Sequence, residues 1–306
     1  MTGGGGFLGR SVVVGLAGSG HEVVSADLRL PADATSMHVV SHVVMDVTSQ
    51  EAVDAVIGEA RPEVIVHLAS IVTPGPDSTR ELEHAVDVDG SRHVLDASVA
   101  HGVRRIVISS SGAAYGYHPD NPAWLTEDQP VRGNEVFAYS HHKRLVEEML
   151  PSYPSLEQVV LRIGTILGTT VDNQITALFK RPRLLKIRGA ESPFVFIWDT
   201  DVVAVIEQAV TGDVTGVFNV AGDGALTISE IAALLGKPVL SIPEPVLRVA
   251  LAVGRRLGLT AYGPEQTMFL QYRPVLLNER LKTVFGYTPT RTSREAFDEW
   301  MHHQTS

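Results

Sequence analysis

A tyrosine and a lysine four residues apart, Tyr139 and Lys143, are the side chains in this sequence best suited to moving a proton. In a helix, residues at positions i and i+4 lie on one face, so the two side chains would be neighbours. A free tyrosine has a pKa of about 10 and is a poor base near neutrality, but a nearby ammonium group stabilises the phenolate. The spacing therefore predicts acid–base chemistry at a hydroxyl or carbonyl oxygen. The same pattern also occurs on ordinary exposed helix faces.

A serine cluster supplies a possible partner for this pair. Ser109, Ser110 and Ser111 end an apolar run that begins at Val103 and is typical of a buried strand. Active-site groups of parallel α/β sheets collect at the carboxyl ends of the strands. A hydroxyl there, Ser111 in particular, can hydrogen-bond the oxygen that Tyr139 protonates or deprotonates. The alternative is a Ser- and Gly-rich turn without a catalytic role.

The amino-terminal segment 2–10 has glycines at positions 3, 6 and 9, and an apolar run that favours a helix follows it. In such a turn the backbone can approach a pyrophosphate closely, and the helix offers it free N–H groups and a positive dipole end. Glycine-rich termini are often flexible tags, but Phe7 and Leu8 and the helical continuation favour a dinucleotide-binding loop formed by Gly3, Gly6 and Gly9.

Asp27 ends the next predicted strand, 18 residues after Gly9. That is close to the spacing of a carboxylate that holds the ribose hydroxyls of a dinucleotide. The same charge would repel a 2′-phosphate, so NAD is expected rather than NADP. Arg29, two residues on, leaves NADP as an alternative.

Strands alternate with helices through the first half of the chain, which predicts an α/β fold with a doubly wound, parallel Rossmann sheet. We expect an NAD-binding domain over residues 1–162 and a smaller, mixed α/β substrate-binding cap over 163–306, with 194–220 partly returning to the sheet. In detail, the pattern predicts a strand over 43–47, a helix capped by Thr48 with Glu51, and a later helix capped by Thr227 with Glu230.

The glycine loop should follow a buried central strand, yet only Met1 precedes Thr2. We therefore expect either a true start farther upstream or a protein without its first strand. In both cases the sequence predicts a gap in the sheet between the strand that ends at Asp27 and the strand over 63–70.

The composition excludes several classes of function. The chain has 306 residues, a formal net charge of −10 and no cysteine. The acidic balance disfavours nucleic acid and anionic membrane surfaces as partners. The absence of cysteine excludes disulfides and thiolate chemistry and fits a reducing cytoplasm. The sequence contains no apolar run long enough to span a membrane and no signal-peptide pattern, so a cytoplasmic protein is expected.

Taken together, these motifs resemble the extended short-chain dehydrogenase/reductases of the NAD-dependent epimerase/dehydratase family, which includes UDP-galactose 4-epimerases. The resemblance covers roughly residues 2–235 and rests on the glycine loop, the segment from Ser111 to Tyr115-Gly116, the pair Tyr139 and Lys143, and later segments near 194–203 and 218–222. It implies NAD as cofactor and the catalytic set Ser111, Tyr139 and Lys143. It also implies a homodimer formed through the helices over 87–101 and 139–150. Further cofactor contacts are implied at Phe7, Leu8, Asp46, Val47, Leu68, Ala69, Ser70, Ser109, Tyr139 and Lys143, the last holding the nicotinamide ribose.

The sequence departs from the family pattern at positions that bear on the substrate. Asp87 and Thr165 stand where the family usually has Asn, and Trp198 stands where it usually has His. Gly112 and Ala113 follow Ser111 where the dehydratases of the family have Asp-Glu. A 4,6-dehydratase is therefore not expected.

The single basic cluster of this acidic chain runs from Lys180 to Arg188. Its arginines, Arg181, Arg183 and Arg188, are predicted substrate contacts, because a substrate diphosphate needs neutralising. Ser111, beside the reacting oxygen, and Thr165, at the position the resemblance places on the substrate side, are predicted substrate contacts as well. A solvated surface loop is the alternative. No metal site is expected: His38 and His42 lack a third ligand, and His141 and His142 are expected on the surface of their helix.

Three functions follow as hypotheses. The favoured one is an NAD-dependent epimerase that transiently oxidises a hydroxyl of a nucleotide sugar. The second is an NAD(P)-dependent reductase or dehydrogenase of a keto-sugar, a steroid-like alcohol or another small carbonyl compound. The third is a non-catalytic protein that senses dinucleotides.

Overall fold

The computed structural model of the chain describes residues 1–30, 39–75, 77–260 and 262–305. The helices are α1 (Phe7–Gly18), α2 (Gln50–Ala60), α3 (Arg80–His84), α4 (Gly90–Ala100), α5 (Ala138–Met149), α6 (Gln174–Lys180), α7 (Asp199–Thr211), α8 (Ile228–Leu234), α9 (Glu244–Arg256), α10 (Gln266–Gln271) and α11 (Ser293–Thr305). The strands are β1 (Val23–Asp27), β2 (Val40–Val44), β3 (Val64–His67), β4 (Arg105–Ser111), β5 (Glu157–Ile163), β6 (Thr165–Leu167), β7 (Leu184–Ile187), β8 (Phe196–Trp198), β9 (Gly216–Val220) and β10 (Val239–Ile242).

The main sheet is parallel and carries helices on both faces. Strands β3, β4, β5 and β9 pair in that order, and β1 pairs with β2 beside them. One face is covered by α1 and α7 and the other by α2, α4 and α5, each with its own apolar core. The predicted doubly wound α/β fold is confirmed. Because β9 pairs with β5, a segment from the second half of the chain completes this sheet.

Between β1 and β3 the described part of the chain places only the residues before the glycine loop. The Thr2 amide donates to Val66 O at 2.9 Å, and the Leu68 amide donates to Thr2 O at 3.1 Å. On the other side, the Ala26 amide donates to Met1 O at 2.8 Å. Thr2 thus forms isolated parallel bridges to both neighbours, Ala26 and His67. Among the described residues, Thr2 is the one that bridges β1 and β3 where the sequence predicts a gap.

One predicted strand and its helix cap are misplaced. The strand predicted over 43–47 lies at β2, three residues earlier, because Asp46 already belongs to a turn. The amide and the hydroxyl of Thr48 both donate to Asp46 Oδ1, at 2.9 and 2.7 Å. The Thr48 hydroxyl is therefore engaged, and Ser49 caps α2 instead by accepting from the Ala52 amide.

The second half of the chain adds two short parallel pairs, β6 with β8 and β7 with β10. A separate core lies beside them, in which Phe179 makes edge-on ring contacts with Phe194, Phe297 and Trp300. The chain crosses between the two halves at Gly164, which connects β5 directly to β6. This connection carries Thr165 to the edge where the strands of the main sheet end.

Candidate active site

Tyr139 and Lys143 lie on one face of α5, as their spacing predicts. Lys143 is buried, and its Nζ lies 5.5 Å from the centre of the Tyr139 ring. The same Nζ donates a hydrogen bond to the main-chain oxygen of Ser109 at 2.8 Å. The ammonium group is thereby fixed against the carboxyl end of β4.

Ser111 completes the cluster at the last residue of β4. Its hydroxyl hydrogen-bonds the Tyr139 side chain and accepts from the Ala113 amide at 3.1 Å. Ser111 has extended backbone geometry and caps the 3-10 turn Gly112–Tyr115. This cap directs the side chain towards α5, so the strand end and the helix present Ser111, Tyr139 and Lys143 together.

Burial dominates the electrostatics of this cluster. Desolvation raises the pKa of Tyr139 above its ordinary value, and the hydrogen bond from Ser111 opposes that rise. Desolvation also lowers the pKa of Lys143, opposed by the negative charges of Asp87 and Glu147. The tyrosine is therefore neutral in the free protein, and its ionisation requires further positive charge in the cavity.

A buried ion pair lies next to the cluster of Ser111, Tyr139 and Lys143. Arg162 of β5 contacts Glu147 of α5, with Nη2 to Oε2 at 2.7 Å, and both side chains are 6% exposed. Arg162 Nη1 also donates to the Tyr115 hydroxyl at 2.7 Å, and Glu147 accepts from Ser110. This network joins strand β5 to strand β4 and helix α5, the two elements that carry Ser111, Tyr139 and Lys143.

Two histidines next to the cluster differ in exposure. Both were expected on the helix surface, but His142 is 2% exposed while His141 is half-buried. His142 Nδ1 lies 3.0 Å from Asp87 Oδ2. The expectation for His142 is therefore wrong: helix α3 and the π-helical segment Ala85–Asp89 that follows it pack over this side of α5.

The glycine loop has the shape required to hold a pyrophosphate. A Cβ added to Gly3 would lie 2.7 Å from Ala69 N, and one added to Gly9 would lie 2.1 Å from Gly3 O. Neither position has room for a side chain. In the part of the chain that the structure describes, no side chain caps the N-terminus of α1, and the first turn of this helix has no acidic residue. The helix end is thus available to an anion, and these residues fit a dinucleotide.

Asp27 lies beside this loop, as predicted for a ribose-binding carboxylate. Its Oδ2 accepts from the Gly5 amide at 2.9 Å. Among the other predicted cofactor residues, Asp46 forms the turn described above, Val47 is buried against Gly90, and Ala69 contacts Gly3. Their roles as cofactor contacts stay predictions.

A cavity of about 710 Å³ joins the loop to the catalytic cluster. Its walls include most of the predicted site residues: Gly3, Gly6, Phe7, Leu8, Gly9, Leu68, Ser70, Ser109, Ser111, Tyr139, Lys143 and Thr165. The rest of the wall is mainly apolar, with Ile166, Val171 and Leu276 among its members. The three arginines predicted to bind substrate are not in this wall. Arg181, Arg183 and Arg188 are exposed to solvent.

An arginine that the sequence did not single out does line the cavity. The guanidinium of Arg273 lies between two aromatic rings, 3.8 Å from the centre of Phe194 and 4.4 Å from that of Phe269. Its Nη1 donates to Ser192, and its buried Nε has no hydrogen-bond partner. Within the described ranges no carboxylate forms an ion pair with it, and burial lowers its pKa to about 9.

No sequence signal marks Arg273. It lies more than 100 residues from the catalytic motifs, and its aromatic neighbours come from two separate segments. A partly buried cation without a counter-charge is costly in a folded protein. Its placement in the cavity wall makes Arg273 a candidate receptor for an anionic group of a ligand.

The remaining expectations concern metals and membranes. His38 lies outside the described residues, so the pair it was considered to form with His42 has no structural account. In the part of the chain that the structure describes, His, Asp and Glu side chains form no group of three or more that could hold a metal ion. The helices in the same ranges are too short or too polar to cross a bilayer.

Comparison with known proteins identifies one relative named as a reductase and another named as an epimerase. The 3-diazoavenalumate denitrifying reductase of a Streptomyces species is 29% identical over 307 residues, which cover 96% of each chain. The UDP-glucose 4-epimerase of Bacillus subtilis is 29% identical over 159 residues, covering 49% of this chain and 46% of the relative.

Other relatives are longer than this chain. An uncharacterized protein of Mycobacterium tuberculosis is 24% identical over 251 residues, which are 80% of this chain but 66% of the relative. A second protein of the same organism, 26% identical, matches 98% of this chain with 29% of its own length. The chain therefore spans less than two thirds of these mycobacterial relatives.

A solved structure and a family model both match this chain, in agreement with the geometry of the candidate site. A short-chain dehydrogenase/reductase superfamily protein from Agrobacterium tumefaciens, crystallised with bound NAD, superimposes with a TM-score of 0.74 at 24% identity, over 99% of this chain and 96% of its own. The model of the NAD dependent epimerase/dehydratase family matches residues 1–221, which include the glycine loop, Ser111, Tyr139 and Lys143. The chain belongs to the NAD-dependent epimerase/dehydratase family.

Proposed function

We propose that this protein is an NAD-dependent epimerase that acts on a hydroxyl-bearing carbon of a nucleotide sugar. The observation that carries the proposal is the meeting, in one cavity, of the glycine loop, the cluster of Ser111, Tyr139 and Lys143, and the unpaired Arg273. NAD, when bound, supplies the hydride acceptor and the positive charge beside the tyrosine.

Tyr139, Ser111 and Lys143 have separate roles in the proposed reaction. Tyr139 takes the proton of the substrate hydroxyl as the C–H bond of that carbon gives up its hydride, which leaves a ketone. Ser111 holds the substrate oxygen, and the Lys143 ammonium stabilises the phenolate during the transfer. Tyr139 would give the proton back to the oxygen when the ketone is reduced on its opposite face. The configuration of the carbon would then be inverted, with no net consumption of the NAD that the glycine loop would hold.

The positive charge of Arg273 favours a substrate that carries an anionic group. Its guanidinium has no carboxylate partner among the described residues, and the aromatic rings on both sides hold it in place. A phosphate of a nucleotide sugar would supply the missing negative charge. The exposed arginines of segment 181–188 are not needed for this role.

A reductase of a small carbonyl compound is the second candidate. The Streptomyces reductase matches nearly the whole of both chains, whereas the Bacillus epimerase matches half of this one. The apolar walls of the cavity also suit a substrate with few hydroxyl groups. In this reaction Tyr139 donates its proton to the carbonyl oxygen, and NADH or NADPH is consumed with each turnover.

Product analysis separates the candidates. Purified protein with NAD and either UDP-glucose or UDP-galactose should interconvert the two sugars without added reductant. Loss of NADH absorbance in proportion to the alcohol formed would favour the reductase instead. A dinucleotide sensor would bind NAD, measured as a rise in Tm, and would turn over neither substrate. The homodimer through α4 and α5 stays a prediction that size-exclusion chromatography with light scattering can test.

Replacing Arg273 with leucine should weaken substrate binding without destabilising the fold. Loss of a charged hydrogen bond of about 1.5–3 kcal/mol corresponds to a rise in KM of roughly 10–150-fold. The Tm of the ligand-free protein should stay equal or rise, because an unpaired buried charge is removed. Steady-state kinetics and thermal melts measure the two effects.

Arg291 offers a matched control for this variant. Its guanidinium also lies against an aromatic ring, 4.9 Å from the centre of Trp198, but it is outside the cavity wall. Arg291→Leu should change KM by less than about 2-fold. An unchanged KM in Arg273→Leu would remove Arg273 from substrate binding.

A further inference from the structure

Helix α9 presents a row of apolar side chains to solvent. Val246, Val249 and Val253 follow one another at intervals of three or four residues and lie on one face, which Leu257 continues just after the helix ends. These four side chains are between 52% and 65% exposed. Among the described residues of the helix, Leu247 is the one that is buried. The helix is therefore attached to the protein along a narrow line, and a second apolar face is left in water.

Two neighbouring segments concentrate basic residues in this part of the protein. Strand β10, which leads into α9, pairs in parallel with β7, from Val239 with Leu184 to Ile242 with Ile187. Helix α10 packs against both β7 and α9. The pairing joins segment 180–188, which has five basic residues and no acidic one, to segment 237–256, which has four basic residues and one acidic one. We call the exposed surface of these two segments, together with Leu257, the α9 face.

The positive charges of the α9 face are only partly neutralised. Four of its basic residues form ion pairs, namely Lys180 with Asp172, Lys186 with Glu191, Arg248 with Glu244 and Arg255 with Glu265. Within the described ranges, no carboxylate forms an ion pair with the other arginines of the face, all of them exposed: Arg181, Arg183, Arg188 and Arg256. The net charge of the whole chain, −10, predicts weak binding to anionic surfaces, but the charge of this region has the opposite sign.

An apolar row next to unpaired arginines matches the chemistry of a bilayer surface that contains anionic lipids. Helices that lie in the membrane interface bury their apolar face at the boundary of the acyl chains and place basic residues beside the lipid phosphates. The row is aliphatic, whereas the centres of protein–protein interfaces are enriched in aromatic residues. It also lies on the outside of the helix. The groove between α9 and α10 is lined by residues such as Glu244, Arg248 and Gln271, and none of the four residues of the row lines it.

We propose that the α9 face is a peripheral docking site for a bilayer surface that contains anionic lipids. The apolar row enters the boundary of the acyl chains, and the unpaired arginines contact lipid phosphates. Helix α9 has 13 residues and lies along the surface without crossing the bilayer. The docking site needs neither NAD nor substrate, so it can be tested independently of the proposed function.

Sedimentation of the full chain with lipid vesicles tests the charge contribution. Vesicles made of equal parts phosphatidylcholine and phosphatidylglycerol should carry the protein into the pellet, and vesicles of phosphatidylcholine alone should carry much less. Added salt should weaken the binding, because it screens the arginines from the lipid phosphates. Replacing Arg181 and Arg183 together with glutamine should weaken binding to the anionic vesicles by about 25-fold, since each basic residue near the surface contributes about 5-fold.

Val253→Gln tests the apolar contribution. Removing one valine from the middle of the row should weaken binding to the anionic vesicles by about 10-fold or more. The Tm should stay at the wild-type value, because Val253 is already half exposed in the free protein. Val284→Gln is the matched control: Val284 is 57% exposed but belongs to neither segment of the α9 face, and this variant should bind vesicles as the wild type does.

Three results would overturn the proposal. The first is wild-type protein that stays in the supernatant with anionic vesicles or pellets equally with both kinds of vesicle. The second is Val253→Gln that binds as tightly as the wild type, or a control variant that loses as much binding. The third comes from light scattering: a wild-type oligomer that Val253→Gln dissociates, without binding to vesicles, would make the α9 face an interface between two copies of this chain.

Discussion

Replacing Tyr139 with phenylalanine is expected to lower kcat by about 10²–10⁴-fold and to leave NAD binding intact. The ring would keep its packing beside Lys143, whose Nζ lies 5.5 Å from the ring centre. Only the hydroxyl, which we propose exchanges a proton with the substrate, would be lost. Turnover measurements, with NAD binding followed by calorimetry, test both parts of this expectation.

A matched tyrosine lies outside the cavity. The Tyr153 hydroxyl donates to Asp96 at 2.7 Å, and Tyr153 is not among the residues that line the cavity. Tyr153→Phe should retain wild-type kcat. If Tyr139→Phe retained more than about one tenth of the wild-type rate, a different group would have to serve as the acid–base catalyst.

Replacing Gly9 with alanine should abolish NAD binding. The added Cβ would lie 2.1 Å from Gly3 O and 2.9 Å from Gly4 Cα, and both are backbone atoms that cannot rotate away. The helix would have to move off the loop, at a cost of about 1–3 kcal/mol or more, and the anion site would lose its shape. Thermal melts should show a lower Tm and no rise of Tm when NAD is added.

Gly18 supplies the control on the same helix. A Cβ added there would have no neighbour within 4 Å. Gly18→Ala should leave NAD binding unchanged and stabilise the fold by up to about 1 kcal/mol, because alanine loses less backbone freedom on folding. Normal NAD binding by Gly9→Ala would show that the close approach of loop and helix is not required.

The parts of the site that depend on short stretches of chain could be predicted from the sequence. The spacing of Tyr139 and Lys143 predicts a shared helix face, and the glycines at 3, 6 and 9 predict a tight turn in which positions 3 and 9 have no room for a side chain. The capping box of Thr227 with Glu230 also forms as predicted. In each case the interacting groups lie within a few residues of one another, so the pattern contains the geometry.

The parts that depend on distant contacts could not be predicted. His142 is buried because helix α3 and the segment after it, some 55 residues earlier, pack over its helix. Arg273 reaches the cavity only because Phe194 and Phe269 hold it there. Charge density alone pointed instead to the segment 181–188, whose arginines are solvated. Local composition shows how many charges a segment has but not which of them tertiary packing will bury.

The connection at Thr2 between the β1–β2 pair and β3 affects the dynamics of the sheet. Among the described residues, the backbone hydrogen bonds that connect β1 and β2 to β3 all pass through the residues before the glycine loop. Helices α1 and α2 pack across this connection against α7 and α4. The two-stranded portion can therefore open as a separate cooperative unit. A dinucleotide on the glycine loop would contact both the β1–β2 pair and the strands that begin with β3. Part of its binding free energy would therefore stabilise the connection between these two parts of the sheet. Amide hydrogen exchange should be faster in β1 and β2 than in β4 and β5, and NAD should slow it most in the first pair.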